Sequence, residues 1–479
     1  MNRKQSGISC FTVALIITIL CGGCSSTASP NNVFSKMEEN NDKAETEISS
    51  NVGDKNSTGE VEKLPDVNNV SVDEILSQLT LEQKIGQMVM PAVRGLQPDK
   101  DENYKLPQNV ANAIADCNIG GIIFFDENCR TTEGTLKLAK ELSNAAVSDR
   151  SIAKIPIMIS VDQEGGRVTR LATGTKLPGN MAVAATKDPD NAYKAATVIS
   201  EELNALDIDI NLAPVMDVNS NPDNPVIGVR SFSDNPAEVA EYGVKYMKGL
   251  QDNGVIATLK HFPGHGDTLT DSHSGLPCID KSYDELKSIE LVPFKAAIDA
   301  GADIVMTAHI QFPQLEKETY KSISTGEELT LPATLSKTII TDILRTDLGF
   351  EGVVMTDGLE MAAVASHFDP IDTAELAINA GVDVLLIPGD ISNEKGIKNL
   401  KVYIDEVAKR VRTGKISEDR IDESVRRILE LKITKGLFNA EDTYEDMVAD
   451  ALATVGSEEH HSVELEITRA SDAKINDKR

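Results

Sequence analysis

The chain has 479 residues, 41% of them apolar, enough to fill one large domain with appendages or two domains. Its 47 basic residues against 76 acidic ones leave a net charge of −29, which excludes a nucleic-acid partner, whose phosphates demand the opposite sign. The acidity reads instead as a solvated, self-repelling surface.

The N-terminus carries Arg3 and Lys4 ahead of an apolar run, Ile8–Leu20, too short to span a bilayer comfortably, ending in Cys21-Gly22-Gly23-Cys24. A charged start, a short apolar stretch and small residues before a cysteine form a secretory signal. Residues 1–24 resemble a bacterial lipoprotein signal with Cys24 as the lipidation site, Cys21 being the weaker choice. The membrane is then met through a lipid anchor only, and the protein sits on the outer face of the cytoplasmic membrane or in the cell wall. Residues 25–70 are Ser, Asn, Glu, Lys and Thr with few large apolar side chains, and are expected to be a disordered tether.

From residue 71 the pattern changes. Val72–Leu79 and the residues after Leu81 have helical apolar spacing. Eight short apolar runs follow, with helical segments between them: Gly86–Val93, Gly120–Asp126, Pro156–Asp162, Ile210–Asp217, Val255–Lys260, Asp303–His309, Gly352–Asp357 and Val382–Pro388. Several end on a charged or polar residue: Asp162, Asp217, His261, His309 and Asp357. Eight strands alternating with helices predict an α/β fold, a (β/α)8 TIM-type barrel over residues 71–439. A doubly wound open sheet is the competing topology, but no glycine-rich phosphate turn follows the first strand, and Glu164-Gly165-Gly166 is not a nucleotide fingerprint. Helices over Val402–Lys415 and Ser424–Lys435 should complete the outer layer. Residues 440–479 are too few for a second domain and are expected to be a short C-terminal tail.

Past the signal only Cys117, Cys129 and Cys278 remain, an odd number with no paired framework and no cysteine–histidine pattern for zinc. Cys117 and Cys129 flank one predicted strand, which keeps them apart.

The chemistry concentrates in residues 260–273, which hold Lys260, three of the chain's seven histidines and two aspartates in a bent loop after the fifth strand. Asp271-Ser-His273 pairs a carboxylate with an imidazole that can then act as acid and base near neutral pH; alternatively, the pair simply staples its own loop. His261 and His265 are four apart, but Phe-Pro-Gly between them prevents a shared helical face, so no metal is assigned. Asp162, Asp217 and Asp357 are strand-end carboxylates suited to glycoside chemistry. Asp357 could also cap the helix that follows. Arg170 and Asp162 suit sugar hydroxyls or an ordinary ion pair, and Arg230 reads as a lone surface charge.

Taken in order, Val161-Asp-Gln-Glu-Gly-Gly-Arg167, Leu212-Ala-Pro-Val-Met-Asp217, Arg230-Ser-Phe232, Lys260–Gly266, Asp271-Ser-His273 and Val354-Met-Thr-Asp357 resemble family 3 glycoside hydrolases, in their β-N-acetylglucosaminidase branch. The resemblance covers about residues 70–438. It implies a retaining β-N-acetylhexosaminidase with Asp357 as nucleophile and His273, paired with Asp271, as acid/base. Asp162, Arg170, Arg230, Lys260 and His261 match positions that hold GlcNAc, and His309 is a weaker candidate at the mouth. No cofactor or metal is implied. The substrates implied are GlcNAc-containing peptidoglycan fragments and muropeptides, and the role is cell-wall turnover and recycling; the sequence leaves the oligomeric state open, with a monomer favoured. Two features leave other readings open. A neutral base repels an anionic nucleophile less than a carboxylate does, so a phosphorylase could use the same residues; a non-catalytic wall-binding protein or a metal-dependent barrel hydrolase are further possibilities. Residues 456–471 also resemble the opening of the second α/β domain of longer relatives, a domain missing here.

Overall fold

The computed structural model describes residues 71–98, 104–273, 275–439 and 442–476. The expected signal, Cys24 and the tether lie outside the described residues.

Eight parallel strands form the barrel: β1 (Val89–Ala92), β2 (Gly121–Phe124), β3 (Met158–Val161), β4 (Ile210–Asn211), β5 (Ile256–Phe262), β6 (Ile304–Thr307), β9 (Val353–Met355) and β10 (Leu385–Asp390). An antiparallel hairpin of β7 (Thr319–Lys321) and β8 (Glu328–Thr330) is inserted after β6. Each barrel strand pairs with the next and β1 pairs with β10, so the sheet order is cyclic. The seam between β9 and β10 closes through a single parallel bridge, Met355 to Val384.

The strands read as unbroken apolar runs because both faces are covered, by the barrel interior and by the helical ring. β1 to β6 and β9 are buried at every position. The sequence expected a fourth strand of eight residues, but regular pairing stops at Asn211. Leu212 still donates to the Val161 carbonyl, but Pro214 offers no N–H to carry that ladder on; on the other side the Ala213 and Pro214 carbonyls accept from the Thr258 and Lys260 N–H groups, leading into the Val215–Lys260 bridge. Buried Asp383 braces the seam from the end opposite the site. Its carboxylate accepts from the Val354 N–H (2.9 Å), Arg345 (2.6 Å), Arg420 (2.8 Å) and Arg427 (3.1 Å). Burial would raise its pKa, but the three guanidiniums hold it below the ordinary range.

Side-chain caps set the helix starts. Ser71 with Glu74, and Thr80 with Gln83, form reciprocal capping boxes. The last two barrel helices begin earlier than the apolar spacing suggested, at Glu394 after an Asn393 cap and at Glu418. The C-terminal segment is more than a tail. Helices Tyr444–Thr454 and Glu458–Asn476 pack on helices Thr132–Ala146, Asn180–Ala185 and Asp190–Ala205, burying Ala451 and Ile467 completely. Their start signal, Thr443 capped by Asp446, is present in the sequence.

Candidate active site

The C-terminal ends of the strands surround a cavity of about 460 Å³. Of the eight residues proposed from sequence for catalysis and sugar binding, Asp162, Arg170, Arg230, Lys260, His261, His273 and Asp357 line it. Asp271 stands behind His273. Strand β5 supplies two of these side chains from consecutive positions, Lys260 and His261, because the ladder there shifts register between Leu259 and Phe262.

One wall is a buried charge network. The Lys260 ammonium lies 2.7 Å from both Asp162 and Glu164. Arg230 grips Glu164 with two parallel hydrogen bonds, 2.9 and 2.6 Å. Burial would push Glu164 up, but Lys260 and Arg230 bring it down to about 2. Arg230 is therefore no lone surface charge: it is mostly buried and held by a partner 66 residues earlier. Arg170 reaches Asp126 at 3.1 Å and Asp162 at 3.8 Å.

The floor of the β5 loop is organised by Asp217. Sequence reading placed this carboxylate among the candidates at the mouth, yet it is completely buried and does not line the cavity. It accepts from His261 Nδ1 (2.7 Å), the His261 N–H (3.2 Å) and the His265 N–H (2.7 Å). This fixes the His261 ring beneath the sugar-sized space. His265 lies deeper, with Nδ1 2.8 Å from Thr268 Oγ1 and Nε2 3.2 Å from Ser272 Oγ. Burial, with His261 nearby, takes the His265 imidazole down to about 4, so it is neutral at physiological pH.

The Asp271–His273 pair forms as expected. Asp271 Oδ1 accepts from His273 Nδ1 at 2.8 Å and from the His273 N–H at 2.9 Å. The histidine side chain is 66% exposed at the mouth. Burial opposes ionisation of Asp271, but the bonds from His273 prevail and hold the carboxyl low. Ser272, between them, is buried, and its carbonyl accepts from the Ala363 N–H at 3.2 Å. The loop is thus tied to the short helix Ala362–Ala365 that follows Asp357.

Asp357 lies two residues past β9, its Oδ1 accepting from the Gly358 N–H at 2.7 Å. Burial raises its pKa, but His309, His261, that N–H and Lys260 outweigh it, keeping the carboxylate ionised. His309 is corrected from a candidate at the mouth to a buried prop. It is fully enclosed, bonded to Thr334 Oγ1 (2.8 Å) and the Gly358 carbonyl (3.0 Å). Burial lowers its pKa, and the Gly358 carbonyl requires Nε2 to carry the proton.

Glu164 and the residues Arg94, Phe125, Glu127 and Glu360 at the cavity mouth were missed as site members. Arg94 stacks on Phe125, 3.3 Å from the ring centre, and pairs with Glu360 at 2.7 Å. The available signal was position: Arg94, Phe125 and Glu360 all lie just beyond strand ends. Among the described residues, no group of three or more His, Cys, Asp or Glu side chains is placed to hold a metal ion.

An ionised carboxylate and an imidazole–carboxylate pair around one cavity at the C-terminal face of a parallel barrel define a glycosidase-type site. Residues 80–431 match the glycosyl hydrolase family 3 N terminal domain, and the chain belongs to that family. It is 38% identical over 411 residues to β-hexosaminidase A of Pseudoalteromonas piscicida, covering 83% of this chain and 67% of that protein. A family 3 β-N-acetylglucosaminidase from Paenibacillus sp. str. FPU-7 superimposes with a TM-score of 0.71 at 40% identity, over 82% of this chain and 69% of that one. A β-glucoside phosphorylase superimposes with a TM-score of 0.67 at 25% identity, over 83% of this chain and 65% of that one.

Proposed function

We propose that this chain is a retaining, exo-acting β-N-acetylglucosaminidase that removes terminal β-linked GlcNAc from peptidoglycan fragments and muropeptides. The observation that carries this is the shared cavity: Asp357, His273 and the Asp162–Lys260–Glu164–Arg230 network line one space at the barrel mouth.

The Asp357 carboxylate attacks the anomeric carbon as its bond to the leaving oxygen breaks. Protonated His273 gives that oxygen a proton from Nε2, while Asp271 holds the Nδ1 proton and stabilises the charged ring. A glycosyl ester on Asp357 results. His273, now neutral, takes a proton from water, whose oxygen attacks the same carbon and frees Asp357. Two inversions at one carbon retain its configuration. Lys260, Asp162 and Arg170 provide fixed donors and acceptors for sugar hydroxyls, and His261 lies beside them. Buried polar groups with fixed partners reject a sugar that cannot pair with them. As a Cys24-anchored lipoprotein outside the cytoplasmic membrane, the enzyme would meet cell wall and serve its turnover and recycling.

Phosphate is the competing acceptor. A neutral His273 leaves the glycosyl ester without the negative charge that a carboxylate base would place beside an incoming anion. The likeness to a β-glucoside phosphorylase favours testing that reading.

The test uses the full-length chain in detergent on p-nitrophenyl β-GlcNAc and p-nitrophenyl β-glucoside, with and without phosphate. Asp357→Asn and His273→Ala are the controls. GlcNAc release that is lost in Asp357→Asn supports the assignment. GlcNAc-1-phosphate as product transfers it to the phosphorylase, and no turnover of either glycoside refutes both.

A further inference from the structure

The turn between the two C-terminal helices reaches the same loop that carries Arg170. Glu202, in the helix Asp190–Ala205, is buried. Its carboxylate accepts from the Thr175 N–H (3.0 and 3.1 Å), Thr175 Oγ1 (2.6 Å), the Gly456 N–H (2.9 Å) and His460 Nδ1 (3.2 Å). His460 is itself buried, with Nε2 2.7 Å from Glu201. Two of Glu202's donors therefore come from the C-terminal pair and the others from Thr175.

Thr175 belongs to the loop between β3 and the helix Asn180–Ala185, and that loop is closed on itself. Gln163 Oε1 accepts from the N–H groups of Arg170 (2.8 Å) and Leu171 (3.3 Å), and Gly166 donates to the Leu177 carbonyl (2.9 Å). Contact with the turn is also tight. A Cβ on Gly456 would lie 2.5 Å from the Thr173 carbonyl, and one on Gly174 2.7 Å from Glu202 Oε2.

We infer that Gly456–His460 is a positioning clamp for the sugar-binding loop: through Glu202 and Thr175 it holds Arg170 at the cavity and tightens sugar binding without touching the reacting atoms. This rests on the proposed assignment of Arg170 to the sugar.

The clamp is also sensitive to pH. His460 faces Glu201 and Glu202 from one helix and shares a cleft with Asp442, Asp446, Asp450 and Glu459, with no Lys or Arg among the lining residues. Its bond to Glu202 outweighs burial and raises its pKa. A group raised in the folded chain stabilises most below its unfolded value of 6.5 and loses that contribution as pH rises through the folded value. Above that point one N–H must serve two carboxylates.

The experiment compares the full-length chain with His460→Ala and His460→Gln, measuring kcat and KM on p-nitrophenyl β-GlcNAc between about pH 5.5 and about pH 8.5. Hydrogen exchange of residues 166–177 is followed alongside. His460→Ala should raise KM about five- to tenfold at acid pH, the loss of a charge-assisted bond, with kcat within about twofold. Exchange should quicken in residues 166–177 alone. KM of the unsubstituted chain should climb with pH. His460→Gln, which keeps a donor but no charge, should give an intermediate KM that loses the climb. Unchanged KM and exchange in His460→Ala overturn the inference, as does a fall in kcat alone or faster exchange throughout the barrel. If the unsubstituted chain turns over no glycoside, the proposed function fails while the exchange arm still reads the clamp: local acceleration keeps it, and none removes it.

Discussion

Replacing Glu164 by Gln keeps the shape of the side chain and removes the one charge shared by Lys260 and Arg230. At 2.7 and 2.6 Å, in surroundings of effective dielectric about 20, each contact carries about 6 kcal/mol of gross attraction, most of it offset by desolvation. Removing one partner from a buried pair typically costs about 3–5 kcal/mol. Linkage gives a second route to the number. A carboxyl at about 2 when folded and 4.5 when unfolded contributes roughly 3 kcal/mol at neutral pH. For about 400 ordered residues, 3 kcal/mol lowers the unfolding midpoint by about 4 °C. The sign with pH follows from the depressed folded value. The contribution is present above about 4.5 and is lost as pH falls toward about 2, so less than half of it remains by about pH 3. Calorimetry of both chains at neutral pH and near pH 3 reads the gap and its closing. A neutral-pH midpoint within about 1 °C of the unsubstituted chain would falsify the claim that Glu164 holds the two cations together.

Other expectations follow from single contacts. His273→Ala should lower kcat about 10²- to 10⁴-fold on a natural disaccharide, and less on p-nitrophenyl β-GlcNAc, whose leaving group needs little protonation; equal losses on the two substrates would remove His273 as the acid. Ser272→Ala breaks the bond to His265 Nε2 while leaving the Ser272 carbonyl on Ala363. About fivefold should come off kcat with KM unchanged, measured by steady-state kinetics, because the loop that aims His273 loosens. His265 is depressed from 6.5 to about 4, so its linked stability is complete above 6.5 and lost as pH falls through about 4. Denaturation of His265→Gln should show a flatter fall across that window, and an unchanged slope would contradict the neutral buried ring.

The barrel was legible because each parallel strand, covered on both faces, appears as an apolar run ending in a polar residue. The short β4 was not, since Pro214 looks like any apolar residue in a hydropathy pattern but has no N–H to continue a ladder. The helices Tyr444–Thr454 and Glu458–Asn476 were hidden for another reason. Their apolar faces are narrow, and much of their attachment is polar, through Gly456 and His460 to Glu202. Such pairs, 254 and 258 residues apart, leave no local periodicity to read.

The same limit separates the two kinds of site residue. Asp271 and His273 are two positions apart, and their pairing follows from chain geometry. Arg230 and Asp217 could not be placed that way. Arg230 looked solitary because its partner Glu164 lies on another strand's loop, and Asp217 looked like a carboxylate at the mouth because it ends an apolar run. Burial decides both. A buried guanidinium needs a carboxylate, which makes Glu164 part of the cavity wall. A fully enclosed carboxylate with three N–H donors serves as a brace, so Asp217 holds His261 and His265 in place, while Asp162 and Asp357 are the strand-end carboxylates that line the cavity.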